Sequence, residues 1–76
     1  MIKYKHMDSK KSQIAFGKKI RSARVEKGLT QTEVAEKAGI NTNYYACIER
    51  GEVNPSLEKI QAIAKALGLK SFDVMS

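Results

Sequence analysis

Apolar side chains recur three and four positions apart along most of this chain, and no stretch alternates apolar with polar as a half-buried strand does. Phe16, Ile20 and Ala23 share one face of a helix predicted from about Gln13 to Lys27, while Lys18, Lys19, Arg21 and Lys27 lie on its other faces. Val34, Ala35 and Ala38 mark a second helix, Gln31 to Ala38, and Tyr45 and Ile48 mark a third, Thr42 to Arg50. A fourth, Leu57 to Leu67, offers Leu57, Ile60, Ile63, Ala64 and Leu67 to an interior, and a short fifth, about Ser71 to Met75, offers Phe72 and Met75. The second and third helices are too short to persist alone in water, so each must lean on tertiary packing. The pattern predicts an all-α fold of five helices.

Punctuation between the periodic stretches supports these boundaries. Glycines at 28, 39, 51 and 68 each follow a helical stretch, where the positive φ of a C-terminal cap is needed. Thr30, Asn41 and Ser56 precede the next stretches, and their side-chain oxygens can accept the unpaired N–H groups of a first turn. Thr30 and Glu33 stand at capping-box spacing. Pro55 disfavours a helical conformation at Asn54, which places 51–55 in a loop.

The segment from Gln31 to Arg50 reads as a helix-turn-helix: a short capped helix, the connection Gly39-Ile40-Asn41, and a second short helix. Ala35 is small enough for the two helices to approach closely, and a bulky replacement there should pry them apart. Ile40 can fill the core beneath the turn, while Asn41 caps the third helix and leaves its positive end facing outward. Tyr44 and Tyr45 cannot face the same way on one helix; Tyr45 is in phase with Ile48 and points inward, leaving Tyr44 at the surface.

Composition narrows what such a segment does. The 76 residues leave room for one domain, read here as a basic arm at 1–11 and a folded unit at 12–76. A chain of this size buries only roughly 60% of its unfolded surface, so self-association would help it. The formal net charge is +6, and it is uneven: residues 1–27 carry +7 and residues 28–76 carry −1. Such a field favours polyphosphate or an anionic membrane, or merely keeps a small protein soluble, and charge alone does not choose between them. Lys3, Lys5, Lys10 and Lys11 fit either an arm that tracks DNA or a solubilising tail. Cys47 and His6 are the only residues of their kinds and lie far apart, so no disulfide or metal set is expected. No cofactor or catalytic constellation is evident, and the chain is read as a non-enzyme. The absence of a long apolar run or an apolar leader leads us to expect a cytoplasmic protein without a membrane partner.

The Leu29-Thr30-Gln31 opening, Ala35 and Gly39 at the turn, the Ile48-Glu49-Arg50-Gly51 ending and the Asn54-Pro55-Ser56-Leu57 lead into the fourth helix stand together in one order. In this combination the chain resembles the phage repressor and Cro type of helix-turn-helix domain, over roughly residues 13 to 76. That family includes restriction-modification controllers and several antitoxins. The resemblance implies a lambda-repressor-like fold whose third helix enters the major groove. Thr42, Asn43, Ala46 and Cys47 would face base edges, Thr42 and Asn43 being the better readers because Ala46 and Cys47 offer no hydrogen-bonding fork. Gln31 and Tyr44 match phosphate contacts, with Asn41, Arg50 and Asn54 as further candidates. Arg24 and Glu49 match an ion pair between the first and third helices, although Arg24 also suits a phosphate and Arg50 also suits the dipole at its helix end.

Two functions follow from the resemblance. One is a homodimeric transcriptional regulator, of controller or phage-repressor kind, that binds double-stranded DNA. The other is an antitoxin or interaction module that masks a protein partner. A dimer surface is expected at Leu69, Phe72, Val74 and Met75, which are apolar enough to bury against a second copy, though they could also pack within one chain. Glu33 and Glu36 on the second helix could touch RNA polymerase, or simply be solvated.

Overall fold

Each of the three helices that follow the first begins where a side-chain oxygen replaces a missing backbone partner. The computed structural model describes residues 10–69, which form α1 (Lys10–Glu26), α2 (Gln31–Ala38), α3 (Thr42–Glu49) and α4 (Leu57–Ala66), with no strand among the described residues. The Thr30 hydroxyl accepts from the Glu33 N–H at 3.0 Å while Glu33 Oε1 accepts from the Thr30 N–H at 2.8 Å, a complete capping box on α2. Asn41 Oδ1 accepts from the Tyr44 N–H at 3.1 Å to cap α3, and Ser56 Oγ accepts from the Lys59 N–H at 3.3 Å to cap α4.

The end of α2 determines where α3 points. Gly39 takes φ 73°, its N–H donates to the Glu36 carbonyl at 3.1 Å, and the Ile40 N–H donates to the Ala35 carbonyl at 2.9 Å. This is the Schellman pattern, and a left-handed residue is what lets two consecutive N–H groups reach back to the last turn. The chain then leaves α2 at once and enters the Asn41 cap.

The core holds Phe16 and Ile20 of α1, Val34 and Ala35 of α2, Tyr45 and Ile48 of α3, and Ile60, Ile63, Ala64 and Leu67 from α4 and its cap. α2 packs against α3 and α4, and α1 packs against α3. Ala35 is fully buried. Ala35→Leu is expected to destabilise the fold by about 1–3 kcal/mol, because the extra atoms have no void to enter. Thermal unfolding checks this, and an unchanged midpoint would mean that the contact is looser than described.

The structure departs from the sequence expectations at helix ends and at one core position. α1 starts at Lys10, so Lys10 and Lys11 belong to the helix and not to an arm; both are exposed, and lysine extends a helix at little cost. The two later helices each end one residue sooner, with Arg50 and Leu67 serving as caps. Leu57 does not join the core but remains 54% exposed. It is the first residue of α4, and the inward stripe of that helix meets its neighbours only from Ile60 onward. The predicted fifth helix, with Phe72, Val74 and Met75, lies outside the described residues, as do residues 1–9. No helix among the described residues is long and apolar enough to cross a membrane.

Candidate nucleic-acid interface

The two sides of α3 differ sharply. Tyr45, Ile48 and Glu49 are buried, whereas Asn43 is exposed and Thr42, Ala46 and Cys47 are half-buried on the opposite side. Asn41 stands exposed at the head of the helix. Its carbonyl oxygen is engaged by the cap, which leaves the amide nitrogen outside that bond. The first turn thus combines a positive helix end with polar side chains of short reach, a combination suited to phosphate oxygens and base edges.

The flanking candidates are more constrained. Tyr44 is half-buried against the core, and the Lys59 ammonium of α4 sits 5.8 Å from its ring centroid, within cation–π range. Arg50 is exposed, but its guanidinium donates from Nε to Glu52 Oε2 at 2.9 Å and from Nη2 to Glu52 Oε1 at 3.1 Å. The same Nη2 donates to Cys47 Sγ at 3.3 Å. Arg50 in turn holds the Glu52 carboxyl below the usual carboxylate range. A phosphate at Arg50 must therefore compete with an acid already in place. Asn54 is exposed in the loop before α4.

Beneath this surface lies a polar junction of three helices. Arg24 of α1 donates from Nε to Glu49 Oε2 at 2.7 Å and from Nη2 to Glu49 Oε1 at 3.2 Å. Arg24 Nη1 also donates to the Leu29 carbonyl at 2.9 Å, tying α1 to the loop that delivers α2. Gln31, the first residue of α2, donates from Nε2 to Glu49 Oε1 at 3.0 Å. Glu49 is only 7% exposed. Burial by itself would raise its pKa, but the hydrogen bonds from Arg24 and Gln31, with the Arg24 charge and the adjoining Tyr45 hydroxyl dipole, outweigh burial and hold the carboxyl below its ordinary value. The Tyr45 hydroxyl is buried beside this group without an aligned partner among the described residues, and burial followed by the Glu49 charge pushes its pKa up. Tyr45 is therefore neutral at any ordinary pH.

α1 reaches this junction because Gly17 has no side chain. A Cβ built there would lie 2.6 Å from the Ile48 carbonyl oxygen and 2.8 Å from the Glu49 carbonyl carbon, both backbone atoms. Gly17, Lys59 and the bond from Gln31 to Glu49 all escaped the sequence reading. No periodicity or motif signals them, since each depends on which helices come to lie side by side. Among the described residues no group of His, Cys, Asp or Glu could hold a metal ion.

A capped eight-residue helix, a Schellman turn and a second eight-residue helix with its polar leading face outward together define a helix-turn-helix module. The Helix-turn-helix family pattern matches residues 20–74, and the chain belongs to this family, in its Cro/C1-type form. Over 57 residues it is 46% identical to the immunity repressor protein of Bacillus phage phi105, a match covering 75% of this chain and 40% of that repressor. It is 36% identical over 63 residues to the control protein C.BamHI of Bacillus amyloliquefaciens, covering 82% of this chain and 78% of the control protein. The crystal structure of the restriction-modification controller protein C.AhdI from Aeromonas hydrophila aligns with a TM-score of 0.80 at 34% identity, covering 82% of this chain and 94% of the controller. The chain thus spans less than half the length of the phage repressor but nearly the whole of the controller.

Proposed function

We propose that this chain is a sequence-specific DNA-binding transcriptional regulator that acts as a homodimer, without catalysis, each copy laying α3 in a major groove. The observation that carries this reading is the split of α3 into a buried side of Tyr45, Ile48 and Glu49 and an outward side led by Asn41, Thr42 and Asn43. Asparagine can pair bidentately with adenine, worth about 1–3 kcal/mol of discrimination, and the Thr42 methyl or Ala46 can meet a thymine methyl. The likeness to C.AhdI supports a controller, and the likeness to the phi105 immunity repressor supports a phage-type repressor. Gln31, Asn41 and Tyr44 act on phosphates in this reading, with Arg50 and Asn54 at the rim. If the regulator touches RNA polymerase through α2, Glu36 is the available contact, because the Glu33 carboxylate is engaged in the capping box.

Selection of bound sites from random duplexes tests the reading. Two related half-sites about 34 Å apart, or a multiple of that, are expected. Asn43→Ala should relax preference at one or two base pairs, while Gln31→Ala should weaken all sites alike. Selection profiles that are the same for wild type and Asn43→Ala would remove the base-reading assignment.

Leu69 is half-buried and packs on the core, so the proposed dimer surface rests chiefly on Phe72, Val74 and Met75 beyond it. Phe72→Asp should shift sedimentation toward the monomer and weaken DNA binding together. An unchanged monomer–dimer balance would count against that surface.

A further inference from the structure

The Glu49 carboxylate joins three helices, and one of its bonds comes from the first residue of α2. Arg24 alone supplies two donors to Glu49, and the pair would remain charge-balanced without Gln31. Gln31 nevertheless turns its side chain inward and donates one N–H to Glu49 Oε1 at 3.0 Å. A primary amide has two N–H groups fixed in one plane about 120° apart. Committing one of them inward therefore fixes the direction of the other. Gln31 is half-buried, so its side chain is not wholly enclosed, and it occupies the first position of α2, where unpaired backbone N–H groups already favour an anion.

The backbone of this residue is held from the same junction. Arg24 Nη1 donates to the Leu29 carbonyl two residues upstream at 2.9 Å, and the Thr30–Glu33 capping box fixes the next residue. A free glutamine loses rotamer freedom when it is immobilised. Here that cost is met on folding and not when a duplex arrives, which is how preorganisation raises affinity.

We propose that Glu49 is a positioning residue for DNA binding: it orients the Gln31 amide before the duplex arrives, so that the second N–H is already aimed at a backbone phosphate. This rests on the DNA-binding reading above. Glu49 itself touches no DNA in this arrangement. Its effect on affinity passes through Gln31 and is separate from its effect on folding through Arg24.

A double-mutant cycle on the full chain separates the two effects, with the best duplex selected from a random library as the probe. Glu49→Gln should weaken binding about fivefold to tenfold in the wild-type background, measured where unfolding curves show both proteins fully folded. In the Gln31→Ala background the same change should cost less than twofold. Equal losses in the two backgrounds would overturn the proposal, since Glu49 would then act through the fold alone. A second measurement needs no variant: nitrogen relaxation of the Gln31 side-chain amide in the DNA-free protein. An order parameter near that of the rigid backbone, about 0.85, is expected, whereas a value below about 0.6 would overturn the proposal even if Glu49→Gln fails to fold. Wild type that prefers no duplex would remove the DNA reading and this proposal with it; unequal preference with additive losses would remove this proposal alone.

Discussion

Replacing Arg24 with methionine is expected to cost about 3–5 kcal/mol of folding stability, the range for removing one partner of a buried ion pair. The loss is large because Glu49 remains, 7% exposed, with its charge no longer balanced. Small domains hold only about 5–15 kcal/mol in total, so the variant should sit near the edge of folding at room temperature. The pH dependence gives a sharper signature than the size of the loss. In the wild type the folded-state pKa of Glu49 is depressed, so its contribution is present above the ordinary glutamate pKa of about 4.3 and disappears as pH falls through the lower folded value. Without Arg24 the largest of the lowering influences is gone while burial still opposes the charge, so the depression of the folded pKa shrinks. The stability lost as pH falls through the carboxylate range should then be smaller in the variant than in the wild type. Urea unfolding of both proteins between pH 3 and 7 checks this, and parallel curves would contradict the role given to the pair.

Gly17→Ala should destabilise the fold although it adds only a single methyl group. Alanine favours a helix by about 1 kcal/mol over glycine, so at an open site in α1 the substitution would stabilise. At Gly17 the new Cβ would meet the backbone of Ile48 and Glu49 at 2.6 and 2.8 Å, and backbone cannot swing aside as the end of a lysine can. We expect a net loss of about 1–3 kcal/mol. Relief requires α1 and α3 to separate, which strains the bonds from Arg24 to Glu49 and shifts the helix carrying Thr42 and Asn43. DNA affinity should therefore fall even under conditions in which the variant stays folded. A urea midpoint equal to or above that of the wild type would mean that the two helices do not approach this closely.

Local chemistry explains why α2 and its turn could be read from the chain alone. The Thr30 and Glu33 box, the small Ala35 and the left-handed Gly39 all act within a few residues of one another, and the expected bounds Gln31–Ala38 are those observed. Periodicity also separated Tyr45 from Tyr44 correctly, because one helical step of about 100° parts the two side chains. Where the pattern misled, it lacked a partner to consult. Leu57 lies on the apolar stripe of α4, but whether a stripe position is covered depends on where the neighbouring helices end. The start of α1 was placed too late because its first four residues, Lys10 to Gln13, carry no apolar side chain with which a repeat could begin.

The candidate interface divides the same way. Its outward residues follow from helix phase, whereas the competition of Glu52 for Arg50 arises across the tight bend at Gly51, outside the three- and four-residue spacings that helix rules address. The Lys59 cation over Tyr44 and the Gln31 amide on Glu49 join residues far apart in sequence, and only the packed helices bring them together.

Titrating the isotopically labelled chain with its selected duplex, and following backbone and side-chain amides by NMR, tests the role of α3 most directly. The largest shifts should fall on Asn41, Thr42, Asn43 and the Gln31 side chain, with the outer face of α1 changing little. Shifts concentrated at Lys18, Lys19 and Arg21, with the first turn of α3 unmoved, would contradict its assignment as the element that reads DNA.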